Sequence, residues 1–139
     1  MTRSTLLLAA ALCGLASIAA RAETVKFHGT MSPTSEVPPK ATDGKGTVDG
    51  TLDTATKVLT YKMDYTGLSG PATAAHFHGP AEPGANAGVL VPIASPLASP
   101  VSGTATLTDA QVADLRSGKV YVNVHTAANP GGEIRGQLK

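Results

Sequence analysis

Along most of this chain apolar and polar side chains alternate one by one, in short runs cut off by glycine and proline, and that rhythm leaves little choice of fold. Successive side chains of a β-strand face opposite sides, so a period of two buries one face, whereas an amphipathic helix needs a period near 3.6. From Thr24 to Met31, the apolar Val25, Phe27 and Met31 alternate with Lys26, His28 and Thr30. Gly46 to Asp53 and Lys57 to Tyr65 read as a hairpin about the turn Asp53-Thr54-Ala55-Thr56, with Leu59, Tyr61, Met63 and Tyr65 on one face. Ala74 to His78, Val89 to Ile93, Val101 to Leu107, Val120 to His125 and Glu133 to Leu138 supply the remaining strands. Between them, Ser32 to Asp43 carries Pro33, Pro38 and Pro39, which remove ladder donors, and Gly79 to Gly88 reads as a long loop. A single helix is predicted from Asp109 to Ser117, with Thr108 as N-cap, Gln111 closing a capping box and Gly118 as the stop. Short strands, turn signals and no alternation of strands with helices predict an all-β chain, an antiparallel β-sandwich with one short helix.

The ends and the composition narrow the setting. Arg3, the apolar run Leu6 to Leu12 and the small-x-small site Ala20-Arg21-Ala22 have the order of an export signal. Residues 1–22 are therefore expected to be removed, leaving a domain of residues 23–139 that is periplasmic or secreted. The apolar run is shorter than the roughly 20 residues needed to span a bilayer, so no membrane span is expected in the mature chain. Cys13, the one cysteine, would leave with the signal. Thiolate chemistry and disulfides are then excluded, and any metal must be held by nitrogen and oxygen. Without Arg3 and Arg21, nine basic residues face ten acidic ones with the signs interspersed, and there is no tryptophan. That balance lacks the basic stripe and aromatic platforms of a nucleic-acid binder.

The chemistry is concentrated in histidine. Of four histidines, two stand in Ala75-His76-Phe77-His78-Gly79-Pro80 and a third in Val122-Asn123-Val124-His125-Thr126. On a strand, His76 and His78 share a face roughly 6.5 to 7 Å apart. Phe77 should then point into the core and both histidines to the opposite, wetter side. In the second segment Val120, Val122 and Val124 form the apolar set, which leaves Tyr121, Asn123 and His125 outside. If the two strands are neighbours, His76, His78 and His125 converge, and three imidazoles are a preferred ligand set for copper or zinc. His28 lies on the outer face of the first strand and reads as a surface residue, with a fourth-ligand role as the alternative. Glu36, in the proline loop, and Glu133, after Gly132, are candidates for an oxygen ligand or an acceptor that fixes an imidazole, or for structural carboxylates. Glu133 and Arg135 share a strand face and are expected to be able to pair.

These segments together resemble the CHRD domain, the chordin-type domain found singly in exported bacterial proteins and in tandem in chordin. The resemblance rests on Ser35-Glu36-Val37-Pro38-Pro39, Leu59-Thr60-Tyr61 with Gly67-Leu68, Ala75 to Ala81, Val122 to Thr126, and Asn129 to Gln137. It implies an extracytoplasmic β-sandwich, Greek-key and immunoglobulin-like or superoxide-dismutase-like, and brings no established activity with it. The His76-x-His78 strand followed by Val124-His125 is also similar to the copper ligands of copper-zinc superoxide dismutases. No histidine lies between His78 and His125, however, so the bridging imidazolate and zinc loop of that family have no counterpart.

No serine sits in a nucleophile elbow, and Asp43, Asp49, Asp53 and Asp64 fall on or beside polar hairpin faces, so no catalytic constellation emerges. The chain reads as a non-enzymatic protein whose partner is a copper or zinc ion, held for storage, delivery or tolerance. The rival reading is a metal-free adhesion or protein-interaction module, and a dismutase-like redox enzyme stands third.

Overall fold

The alternating segments form eight strands, which in chain order are β1 (Thr24–Met31), β2 (Lys45–Asp53), β3 (Val58–Thr66), β4 (Ala72–His78), β5 (Val89–Pro92), β6 (Val101–Thr106), β7 (Tyr121–Thr126) and β8 (Ile134–Gln137). The structure is a computed structural model and describes residues 22–139; the expected export signal, apart from Ala22, lies outside the described residues. Two four-stranded sheets, ordered β1-β2-β3-β6 and β5-β4-β7-β8, pair antiparallel throughout and pack as a sandwich. Among the described residues the expected all-β sandwich with one short helix is thus the observed fold. Among the described residues no helix is long and apolar enough to cross a membrane.

The period of two does the work assigned to it. Phe27, Met31, Val48, Leu52, Leu59, Tyr61 and Met63 leave the first sheet on one side, Ala75, Phe77, Val122, Val124 and Ile134 leave the second, and all are buried in one cluster. The helix α1 (Asp109–Arg116) closes one end by burying Leu115 against that cluster. Its start is fixed by the expected capping box, with Gln111 N donating to Thr108 Oγ1 at 3.2 Å and Thr108 N donating to Gln111 Oε1 at 2.9 Å.

One side of the sandwich is stitched across the two sheets. His28 and Lys139 exchange backbone hydrogen bonds of 2.9 Å, and Ser32 and Arg135 exchange bonds of 3.0 and 3.1 Å. Edge strand β1 is thereby tied to edge strand β8, which satisfies donors that an open edge would expose. It also brings the proline-rich segment after β1, with its 3₁₀ turn Pro33–Ser35, over the outer face of β8 and β7.

Candidate metal centre

The site is built by the register between β4 and β7. His76 pairs with Asn123, His78 with Tyr121 and Ala74 with His125. Paired residues of an antiparallel ladder share a face, and diagonal neighbours two positions on remain within reach of long side chains. His76, His78, Tyr121, Asn123 and His125 therefore project together from the face opposite Phe77. Asn123 in turn pairs with Arg135 and Tyr121 with Gln137 on β8, which extends the polar row.

This face points away from the core, as expected, but it is not wet. Every residue of β7 is buried, and His78 and His125 are only 8% and 9% exposed. The 79–88 loop provides the cover. Arg135, 2% exposed, lies over the Tyr121 ring at 3.3 Å, donates from Nη2 to Ala85 O at 2.7 Å and from Nη1 to Asn86 Oδ1 at 3.2 Å. The Tyr121 ring stacks on His78 at 4.8 Å. The guanidinium that sequence alone could not place is thus a clamp inside the fold, with its charge spent on the loop.

The covering loops also set the imidazoles. His78 Nδ1 lies 3.1 Å from Ala87 O and His125 Nδ1 lies 2.9 Å from Pro130 O. A carbonyl oxygen only accepts, so in both rings Nδ1 carries the proton, and the neutral ring keeps its lone pair on Nε2. His76 Nδ1 lies 3.1 Å from His125 Nε2, and the ligand atoms of the three rings all fall within 4.8 Å of one another. His76 is the least enclosed of the three, half-buried where His78 and His125 are buried. Burial lowers the pKa of His76, and the charges that His125 and His78 would carry lower it further. For His78, burial again dominates, with Ala87 and Asn123 opposing it and His125 and Arg135 adding to it, and the net shift is downward. Both rings are therefore held neutral at ordinary pH, the form a metal needs.

Asn123 is the residue that the sequence reading passed over. Its Oδ1 lies 3.0 Å from His78 Nε2 and 2.9 Å from His125 Nε2. Its Nδ2 faces the other way, and a Cβ on Gly132 would collide with both that nitrogen and Glu36 Oε1. Gly132 has φ +122°, so its lack of a side chain answers two demands at once, the backbone conformation and the close approach. Glu36 is buried; Oε1 has no hydrogen-bond partner. Burial raises its pKa, with Asn123 and Arg135 pulling the other way.

The remaining candidates are placed apart from the imidazoles. His28 is on the far sheet, exposed, and bonded through Nδ1 to Asp49 Oδ1 at 2.8 Å. Of the two structural roles open to Glu133, binding loop amides or pairing with Arg135, the structure shows the first. Strand β8 begins at Ile134, so Glu133 belongs to the preceding bend and its carboxylate swings to the loop between β3 and β4. There it accepts from Ser69 N at 2.8 Å, from the Ser69 and Thr126 hydroxyls at 2.6 Å each, and from Asn129 Nδ2 at 3.2 Å. Burial would raise its pKa, but the Ser69 and Thr126 hydroxyls and the Ser69 amide outweigh that and hold it below the ordinary carboxylate value.

This carboxylate pins the turn that carries Pro130 O. Glu133→Gln is expected to cost about 2 to 3 kcal/mol, the scale of a hydrogen bond to a charged group lost from a buried site. Because the folded pKa is depressed, the wild-type advantage is present above the unfolded carboxylate value and is lost as pH falls through the folded one. Denaturant titrations of both proteins at neutral and acid pH check this; an unchanged difference across that range would contradict it.

A family model described as the CHRD domain matches residues 27–138. No curated protein and no solved structure matches the chain.

Proposed function

The chain belongs to the CHRD domain family, and from that premise we propose that it is an exported protein that binds one copper or zinc ion through His76, His78 and His125. The observation that carries this reading is the fixing of two rings by backbone carbonyls. With His78 Nδ1 and His125 Nδ1 both committed to Ala87 O and Pro130 O, each Nε2 keeps its lone pair, and that of His125 lies 3.1 Å from His76 Nδ1. Metal-binding histidines characteristically donate their other ring nitrogen in this way, which fixes the tautomer and raises ligand basicity.

The role that suits such a site is storage, delivery or tolerance of the ion rather than catalysis. Buried Arg135 contributes no solvent-facing charge to draw an anionic substrate toward the ion, the feature a dismutase-like reading asks for.

Titrating untagged apoprotein separately with Cu(II), Cu(I) and Zn(II) tests the proposal. One ion per chain is expected for at least one of them. His76→Ala, His78→Ala and His125→Ala should each weaken it beyond the roughly 10- to 100-fold that loss of a mere supporting partner costs. His28→Ala should leave affinity unchanged. Wild-type affinity in His125→Ala, or no uptake of any of the three ions, would sink the proposal and leave the metal-free interaction module.

A further inference from the structure

We propose that Asn123 is the fourth ligand of this centre, its amide oxygen completing a three-nitrogen, one-oxygen set that favours a divalent ion. This inference rests on the three-histidine reading. It starts from a mismatch in donors and acceptors. His78 Nε2 and His125 Nε2 are both unprotonated in the neutral rings, because their Nδ1 atoms donate to carbonyls, yet both lie against Asn123 Oδ1 at 3.0 and 2.9 Å. An amide oxygen is also only an acceptor. Three lone-pair-bearing atoms thus converge with no hydrogen between them, in a place where such an arrangement is costly without a cation.

The spacing matches a coordination shell. Metal bonds of about 2.0 to 2.1 Å arranged tetrahedrally put neighbouring donors about 3.3 Å apart. Three of the contacts here, including His76 Nδ1 to His125 Nε2, are between 2.9 and 3.1 Å. The three imidazole donors span up to 4.8 Å, and His76 is the least enclosed of the three.

The amide is turned this way for a reason visible behind it. Asn123 Nδ2 and Glu36 Oε1 meet above Gly132, where only glycine leaves space for both. Glu36 Oε1 is buried and lies directly behind the amide, on the side away from the imidazoles. The acceptor oxygen on that side suits the amide Nδ2, and the amide oxygen accordingly faces the imidazoles. Oxygen is a hard donor that adds to Zn(II) and Cu(II) binding and little to Cu(I), which is content with few, softer ligands.

Asn123→Ala and Asn123→Asp, with folding checked by thermal melts, carry the test. Asn123→Ala should weaken Zn(II) and Cu(II) by about 10- to 100-fold while moving Cu(I) affinity by less than about three-fold. Asn123→Asp places an anionic oxygen at the same point and should tighten Zn(II) and shift the visible d–d band of the Cu(II) complex. A merely structural asparagine would move neither the metal selectivity nor that band. If wild type binds and both variants keep its Zn(II) affinity and its Cu(II) spectrum, Asn123 is not a ligand and the three-histidine site stands alone. If Asn123→Ala weakens all three ions equally with the Cu(II) band unmoved in either variant, Asn123 is a structural support only and the inference is wrong. If wild type takes up none of these ions, both readings fall together.

Discussion

Phe77→Ala is expected to destabilise the metal-free domain by about 3 to 5 kcal/mol, the range for truncating a large aromatic side chain in a packed core. The ring is 1% exposed and meets Tyr61 of the opposite sheet edge-on, with centroids 5.0 Å apart. It therefore links the two layers directly, through the middle of the strand that carries His76 and His78. Its backbone partners are Val122 on one side and Val91 on the other, so the strand that carries it is held in register from both sides. Interiors pack too closely for the surrounding structure to collapse fully onto such a gap. Equilibrium denaturation of the apoprotein, with the dependence on denaturant unchanged, measures the loss. A value below about 1 kcal/mol, the size of an ordinary surface change, would mean that β4 is not anchored through Phe77, and the shared-face geometry of the histidines would lose its foundation.

The alternation of Val25, Phe27 and Met31, or of Leu59, Tyr61 and Met63, reveals strands and their inward faces because period-two burial is a local property of the backbone. The same holds for the capping box of Thr108 and Gln111, which is satisfied within one turn. What local pattern does not contain is which strands become neighbours. That β4 and β7 lie side by side depends on chain crossings between layers, and the convergence of His76 and His78 with His125 follows only once that pairing is given.

Solvation was the other illegible quantity. Tyr121, Asn123 and His125 do face away from the core, but whether that face is wet depends on what lies above it. Here Arg135, from a third strand, holds the 79–88 loop down over Tyr121 and His78. Glu133 shows the same limit at a strand end. Two-residue spacing made a contact with Arg135 possible, yet β8 starts one residue later and the carboxylate leaves with the bend to meet Ser69. Asn123 did carry a signal that could have been used. It stands two residues before His125 on the same face, and an amide among imidazoles is a donor or a ligand rather than a bystander.

The second large effect is on metal affinity as pH falls. Ligation requires neutral imidazoles, so each ligand that takes a proton must lose it before an ion can bind. In an unfolded chain that competition begins near pH 6.5, the ordinary histidine value. In the fold, burial foremost and then the neighbouring imidazoles hold His76 below that value; burial also holds His78 below it. The part of the affinity lost to protonation of His76 and His78 should accordingly set in only below the ordinary histidine value, at their folded pKa values. Once three ligands are protonated in the free site, each further pH unit should cost up to about 1,000-fold, and about 100-fold if two are. The stability of the apoprotein moves in the same direction. Between the unfolded and folded pKa values the unfolded chain binds more protons, so stability present above about pH 6.5 drains away as pH drops toward the folded values. Loaded protein should show a steeper loss of melting temperature over the acid range, because it gives up the ion as well. Competition titrations against a chelator of known proton affinity, run beside thermal melts of apo and loaded protein through the acid range, measure both effects. An affinity that already declines well above pH 6.5, or one that stays level to the pH at which the domain unfolds, would show that neutral His76, His78 and His125 are not what holds the ion.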